Sequence, residues 1–357
     1  MATQLVPPDN GTAAPREPRR LIVVSPAATA DHVDAILDRL ALAGADTRVT
    51  PGESSTVIGV IAEDEVLDDL DLAGLAGVEQ VLPMAKPYKF VARETSPDPT
   101  LIQVRGRRIG RGYFALIAGP CTIESREQTL ATARAVHEAG ASMLRGGAFK
   151  PRTSPYTFQG LGVDGLRILE EARDETGLPI VTELMDPRDV EAVVETTDVI
   201  QIGARNMHNF TLLSEVGRGD KPVLLKRGPS ASVEELLMAA EYVVKEGNPR
   251  VILCERGIRT FERSTRYTLD IAAIPVLKEE THLPVIVDPS HAAGRRSLVP
   301  ALARAAVAAG ADGLIVEAHP DPAVALCDGP QLIPTAEFGR FAKDMLGLAM
   351  AMGKEVG

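Results

Sequence analysis

Four side chains in this sequence could together hold a transition metal. Cys121, His291, Glu317 and Asp328 supply a thiolate, an imidazole and two carboxylates, a mixed donor set suited to a divalent ion such as Mn, Fe, Co or Zn. No Cys-x-x-Cys spacing joins them, so only a fold could make them neighbours. A second set is cationic: Arg145, Lys150, Arg152, Arg205, Lys226 and Arg256. Arginine grips phosphate or carboxylate with a planar pair of donors, and lysine adds a compact point charge. Six such charges gathered at one place would repel one another unless a polyanion, or more than one anion, lay between them. The chain has a formal net charge of -11, which argues against a nucleic-acid or anionic-membrane partner. A basic cluster in such a protein means a specific anion site.

Each residue also has a plainer reading. Cys121 taken alone would more often be a small buried residue than a ligand, although its place just after a strand, behind Gly119-Pro120, favours the ligand. Cys254, among Val251, Ile252 and Leu253, reads as core, and Cys327 could be structural or a thiol near the site. His291 sits where loops carry chemistry. His32, His137 and His282 look ordinary, and His208 and His319 lie nearer the ordinary reading. Arg259, Arg263 and Arg266 divide between surface and subunit contacts. Glu183 could pair with Lys226 as a core carboxylate, or orient a catalytic water or lysine.

The elements that must position these residues follow a strand-then-helix rhythm. Short Val/Ile/Leu-rich runs at Phe114–Ala118, Met143–Gly146, Ile180–Glu183, Val199–Ile202, Val223–Lys226, Val251–Cys254, Val285–Val287 and Leu314–Val316 read as strands buried on both faces of a parallel sheet. Between them lie helices with start and stop signals. Ser125 with Gln128, and Ser232 with Glu235, make capping boxes, closed by Gly140 and Gly247. Eight such units are the count for a (β/α)8 barrel. A doubly wound open sheet is the rival, but no Gly-x-Gly-x-x-Gly first turn supports it. Barrels carry chemistry at the C-terminal ends of their strands, and all eight ends here bear a charged or metal-capable residue.

Before the barrel, residues 1–19 read as a flexible tail. Residues 20–92 read as a βαββαβ ferredoxin-like module, with strands at Leu21–Val24, Thr47–Thr50, Thr56–Ile61 and Gln80–Pro83 and helices at Asp31–Ala43 and Leu70–Leu75. A polar, Arg-rich linker is expected over 93–110 and the catalytic barrel over 111–357. The 357 residues suffice for a barrel of roughly 250 plus a small module. Apolar residues are 45% and aromatics 4%, with no Trp, so the core is aliphatic. Three cysteines without a disulfide framework, no secretory leader and no membrane-length apolar run point to the cytoplasm.

The ordered motifs resemble the 3-deoxy-D-arabino-heptulosonate 7-phosphate (DAHP) synthases of the compact-barrel type with a ferredoxin-like N-terminal domain. They are Ala118-Gly119-Pro120-Cys121, Leu144-Arg145-Gly146-Gly147 with Lys150-Pro151-Arg152-Thr153-Ser154, Ile202-Gly203-Ala204-Arg205-Asn206, Leu225-Lys226-Arg227-Gly228, Cys254-Glu255-Arg256-Gly257 and Asp288-Pro289-Ser290-His291. The resemblance spans about Arg111 to Met350. It implies that Cys121, His291, Glu317 and Asp328 ligate a divalent metal. It also implies that Arg145, Lys150, Glu183, Ala204, Arg205, Lys226 and Arg256 hold phosphoenolpyruvate, and that Arg152, Thr153 and Asp288 hold the phosphate of erythrose 4-phosphate. Lys150, Glu183, Asp288 and His291 are the expected catalytic groups. The implied reaction joins C3 of the enol to the aldehyde, adds water at C2 and expels phosphate by C–O cleavage, opening the shikimate pathway to the aromatic amino acids. Feedback by an aromatic amino acid, a homo-oligomer (dimer or tetramer) and no fused chorismate mutase are further expectations. The rivals are a 3-deoxy-D-manno-octulosonate 8-phosphate synthase and a catalytically silent regulatory barrel.

Overall fold

The computed structural model describes residues 20–51, 56–62, 64–83, 86–96, 98–150, 154 and 156–357. The expected tail at 1–19, and Arg152 and Thr153, lie outside the described residues. The chain divides into two units, one ending at Lys89 and one beginning at Phe90.

In the first unit, β1 (Arg20–Val24), β2 (Asp46–Pro51), β3 (Thr56–Ile61) and β4 (Val78–Pro83) form an antiparallel sheet in the order β2-β3-β1-β4. A helix over Ala30–Leu42 buries Ile36 and Leu40 against Ile22, Val24, Ile58 and Val60. This is the expected ferredoxin-like arrangement. Its second helix falls earlier and is broken: one turn over Asp64–Asp68, then a 3-10 turn over Leu72–Gly74 capped by Asp71. The Asp71 carboxylate accepts from the Gly74 N–H at 3.2 Å, a local bond that favours a turn over a continued helix.

The second unit is a closed barrel of eight parallel strands. These are β7 (Tyr113–Gly119), β8 (Met143–Arg145), β9 (Ile180–Leu184), β10 (Val199–Ile202), β11 (Val223–Lys226), β12 (Val251–Glu255), β13 (Val285–Val287) and β14 (Gly313–His319). They pair in sequence order, and β14 closes on β7 with Gly313 opposite Ala115. Ser232 and Glu235 form the expected reciprocal cap. Ser125 accepts from Gln128 N, but the Gln128 side chain reaches Glu124 N instead of completing a box.

The polar run expected as a linker contains a β-hairpin, β5 (Ile102–Val104) with β6 (Arg107–Ile109). Ile102, Val104 and Ile109 join the barrel's inner core of Ala115, Ile117, Met143, Val181, Val199, Leu224, Ile252, Cys254, Ile286 and Ile315. The hairpin thus packs into the base of the barrel. Its three apolar residues are spaced by arginines and glutamine, which masks them in a polar average. Cys254 is core, as read.

Strand period then places the chemistry. Side chains at i and i+2 share a face, so the position two beyond each inner core residue is the next inward one. From Met143, Val181, Val199, Leu224, Cys254, Ile286 and Ile315 this gives Arg145, Glu183, Gln201, Lys226, Arg256, Asp288 and Glu317. The apolar floor of the barrel and its polar mouth are successive layers of one pattern.

Candidate active site

The mouth holds a cavity of about 490 Å³. Arg145, Lys150, Glu183, Ala204, Arg205, Lys226, Arg256, His291 and Asp328 line it, as expected, and so do Ser154, Thr157, Gln201, Arg259, Arg266 and Tyr267. Seven of these are Arg or Lys and only two are carboxylates, so the cavity is strongly positive inside an acidic protein. Arg259 and Arg266, read as surface or subunit residues, belong to this wall. The guanidinium of Arg256 lies 4.5 Å from the centre of the Tyr267 ring, which fixes its plane.

At one side of the cavity the four metal-type residues meet. Cys121, His291, Glu317 and Asp328 each offer a ligand atom, and all four atoms lie within 4.8 Å of one another. Their ionisation suits a cation. Burial lowers the pKa of His291, outweighing Asp288 and Glu317, so the ring is neutral and keeps a lone pair. Its Nδ1 lies 2.7 Å from Asp288 Oδ2, which leaves Nε2 facing Glu317 Oε1 at 3.4 Å and Asp328 Oδ2 at 3.8 Å. A carboxylate behind the imidazole is the usual arrangement for a histidine ligand. Burial alone would raise the Glu317 pKa, but His291, which is protonated at the low pH where this carboxyl titrates, together with Arg145 and Lys150 holds it well below the usual range. Burial pushes the Cys121 thiol up, so a cation binding there must displace its proton. Asp328 sits in the left-handed region at φ +52°, which Asp adopts more readily than most residues.

Three expected residues have distinct places. Asp288 lies behind the cavity, 1% exposed, with Oδ2 held by Lys226 Nζ at 2.6 Å and by His291, and Oδ1 accepting from His291 N at 2.9 Å. Lys226 is therefore the partner of Asp288. Glu183 instead accepts from Gln201 Nε2 at 3.1 Å, and a Cβ on Gly203 would overlap its Oε1. Lys150 Nζ donates to Cys121 Sγ at 2.9 Å. Burial works to lower the Lys150 pKa, but Cys121 in its thiolate form and Glu317 outweigh it and keep the ammonium charged.

A further pair lies beneath the mouth. Arg227 donates to Glu255 Oε2 and Asp270 Oδ2, both at 2.9 Å, and Glu255 Oε1 accepts from Gly257 N at 2.6 Å. The turn that carries Arg256 is thus clamped from below. Gln201, Arg227 and Glu255 were not singled out for chemistry from sequence. The two-residue period would have found Gln201.

A family model described as the DAHP synthetase I family matches residues 91–352, and one for the DAHP synthase ferredoxin-like domain matches 21–86. The chain belongs to the DAHP synthetase I family. It is 48% identical to the phospho-2-dehydro-3-deoxyheptonate aldolase of Thermotoga maritima, over 94% of this chain and 99% of that one. The crystal structure of a Thermotoga maritima DAHP synthase matches with a TM-score of 0.76 at 46% identity, covering 95% of this chain and 100% of the other. A 2-dehydro-3-deoxyphosphooctonate aldolase of Syntrophotalea carbinolica is more distant, at 38% identity over 67% of this chain and 92% of that one. The chain is therefore an enzyme, a DAHP synthase acting at the first step of the shikimate pathway. The octulosonate and silent-barrel alternatives recede. Members of the family use a divalent metal, and the donor cluster fits one. Among the described residues no helix is long and apolar enough to cross a membrane.

Proposed function

We propose that the cationic half of the cavity binds phosphoenolpyruvate and that erythrose 4-phosphate lies between it and the four-donor cluster. The observation that carries this reading is the seven-cation wall meeting that cluster in one mouth. Arg145, Arg205, Lys226 and Arg256, with the backbone at Ala204, would hold the phosphate and carboxylate of the enol. Arg152 and Thr153 would hold the phosphate of the aldose. Asp288 would act on His291 and Lys226 and not on the sugar, since both its oxygens are engaged.

Cys121, His291, Glu317 and Asp328 would hold Mn, Fe, Co or Zn, and a metal there supplies Lewis acidity to an aldehyde oxygen. The chain does the rest. The cations fix two anions at reacting distance, which is chiefly a task of orientation. As C3 of the enol attacks the aldehyde carbon, charge grows on the aldehyde oxygen, and charged Lys150 gives it a proton from Nζ. Glu183, held by Gln201, places the water that adds at C2, where positive charge develops. Cleavage of the C–O bond then releases phosphate.

The test is phosphate release from phosphoenolpyruvate with erythrose 4-phosphate and, separately, arabinose 5-phosphate, using purified metal-loaded protein. Release with the four-carbon sugar alone supports the reading, and release with arabinose 5-phosphate alone overturns it. The ferredoxin-like unit is read as a regulatory module for Phe or Tyr, in a cytoplasmic dimer or tetramer. Removal of Met1–Lys89 should then leave an active barrel that ignores both. The cut belongs before Phe90, because Glu241 accepts from Phe90 N at 2.9 Å and Val91 N at 3.1 Å within the barrel unit.

A further inference from the structure

Two residues outside the donor set, bonded to each other, reach one each of its two carboxylates. Gln331 is 2% exposed and donates from Nε2 to Glu317 Oε2 at 2.6 Å. Its Oε1 accepts from Arg266 NH1 at 3.1 Å, and that same NH1 donates to Asp328 Oδ1 at 3.1 Å. The chemistry of the partners settles the amide's direction. A guanidinium only donates and an ionised carboxylate only accepts, so the Gln331 oxygen must face Arg266 and its nitrogen must face Glu317.

The remaining oxygens point the other way. Glu317 Oε1 accepts from Arg145 NH1 at 2.8 Å and lies 3.4 Å from His291 Nε2. Asp328 Oδ2 lies 3.4 Å from Cys121 Sγ and 3.8 Å from His291 Nε2. Each carboxylate therefore has one oxygen tied back to the Gln331–Arg266 pair and one turned into the cluster.

The backbone braces this bridge. Arg266 N donates to Ala293 O at 3.3 Å and Tyr267 N to Ala292 O at 2.9 Å, in the short helix Pro289–Ala293 that carries His291. A Cβ on Gly294 would meet Arg266 Cβ at 2.6 Å, so the two segments can touch only because Gly294 has none. Gln331 N in turn donates to Asp328 O at 3.0 Å, closing the turn in which Asp328 takes its left-handed conformation.

We infer that Gln331 and Arg266 are positioning residues of the metal centre, joining Glu317 and Asp328 so that each presents a single oxygen to the cation. This rests on the reading of Cys121, His291, Glu317 and Asp328 as the metal donors. Loss of such outer partners typically costs about 10- to 100-fold in metal affinity. Arg266 also lines the substrate cavity, so its variants mix two effects. Gln331 does not line it, and gives the cleaner test.

The experiment is a cobalt titration of the metal-stripped full-length protein at pH 8, with affinity from competition against a chromophoric chelator. Absorbance reports the thiolate-to-cobalt charge-transfer band and the ligand-field bands. Wild type should bind one ion per chain, with a charge-transfer band that Cys121→Ser abolishes. Gln331→Ala should bind about 10- to 100-fold more weakly, with shifted ligand-field bands. Gln331→Glu has nearly the same shape and can still accept from Arg266, yet it cannot donate to Glu317 once ionised. It should lose as much. Both variants break a buried hydrogen bond to Glu317, so their metal-free melting temperatures should fall modestly, and the affinity and spectra of the folded protein carry the test. If both variants bind cobalt as tightly as wild type with unchanged spectra, the inference is wrong and the donor reading survives. If wild type shows no Cys121-dependent band, the donor reading fails first and takes the inference with it.

Discussion

The barrel buries ionised side chains at both ends, and the two clusters are built differently. At the base, Asp312 is 1% exposed and accepts from Lys278 and Lys354, each at 2.6 Å, and from Val285 N at 2.9 Å. Its capacity is spent on its own neighbours. At the mouth, Glu317 and Asp328 each keep an oxygen directed at other donors, beside an open cavity. The contrast teaches that a buried charge is not in itself a sign of function. What marks a site is a set of metal-type side chains that converge on one another beside a cavity.

Chelation tests the contrast most severely. Stripping divalent metal should abolish turnover, and adding it back should restore turnover. Full activity in metal-free protein would break the account of the mouth. Cys121→Ala should weaken metal affinity and leave the melting temperature of the stripped protein near wild type, since its neighbours Cys327 and Leu332 form only a small cluster.

The base should answer the opposite way. Asp312→Ala removes an acceptor from two lysines that can partly reach solvent, and should cost about 1–3 kcal/mol of stability. Its kcat and both KM values, per folded molecule, should not change. A large fall in kcat with unchanged stability would erase the distinction between the two ends.

Oxidation should also separate the mouth from the barrel interior. Cys121 and Cys327 are both buried in one small cluster at the mouth, whereas Cys254 is packed in the barrel interior. Air-exposed, metal-free protein should form a Cys121–Cys327 disulfide that bound metal prevents, with Cys254 left as the thiol. Mass spectrometry of the peptides reads this directly, and three free thiols after long exposure would count against it.

The smallest effect is expected in the pH dependence of stability at His282, which joins the barrel to Phe90. Burial lowers the His282 pKa from the ordinary 6.5, with Thr100 Oγ1 at 2.6 Å from Nδ1 and Phe90 O at 2.8 Å from Nε2. The unfolded chain therefore takes up this proton more readily than the folded one. The stability tied to the neutral ring is fully present above 6.5 and falls as pH drops through 6.5 toward the lower folded value. Melting temperature should decline over that window, and His282→Gln should flatten the decline. An identical slope in the variant would remove His282 as the cause.

Seven of the barrel strands are legible in the sequence to within one residue at each end, because strands buried on both faces must be short and continuously apolar; the eighth runs three residues past its expected end, to His319. The sequence also determined which residue types stand at their ends. The fold of the first unit was legible for the same reason, apart from its second helix, where Asp71 caps a turn that hydrophobic spacing cannot reveal. The hairpin at Ile102–Ile109 was not legible, since its value lies in packing against residues far along the chain. Nor could the sequence say that Lys226 would face Asp288 and leave Glu183 to Gln201, because these pairings depend on which inward side chains meet across the barrel. Cys121 and Asp328 are 207 positions apart and 3.4 Å from contact atom to contact atom. Only closure of β14 on β7 brings them together, and that closure is a property of the whole sheet.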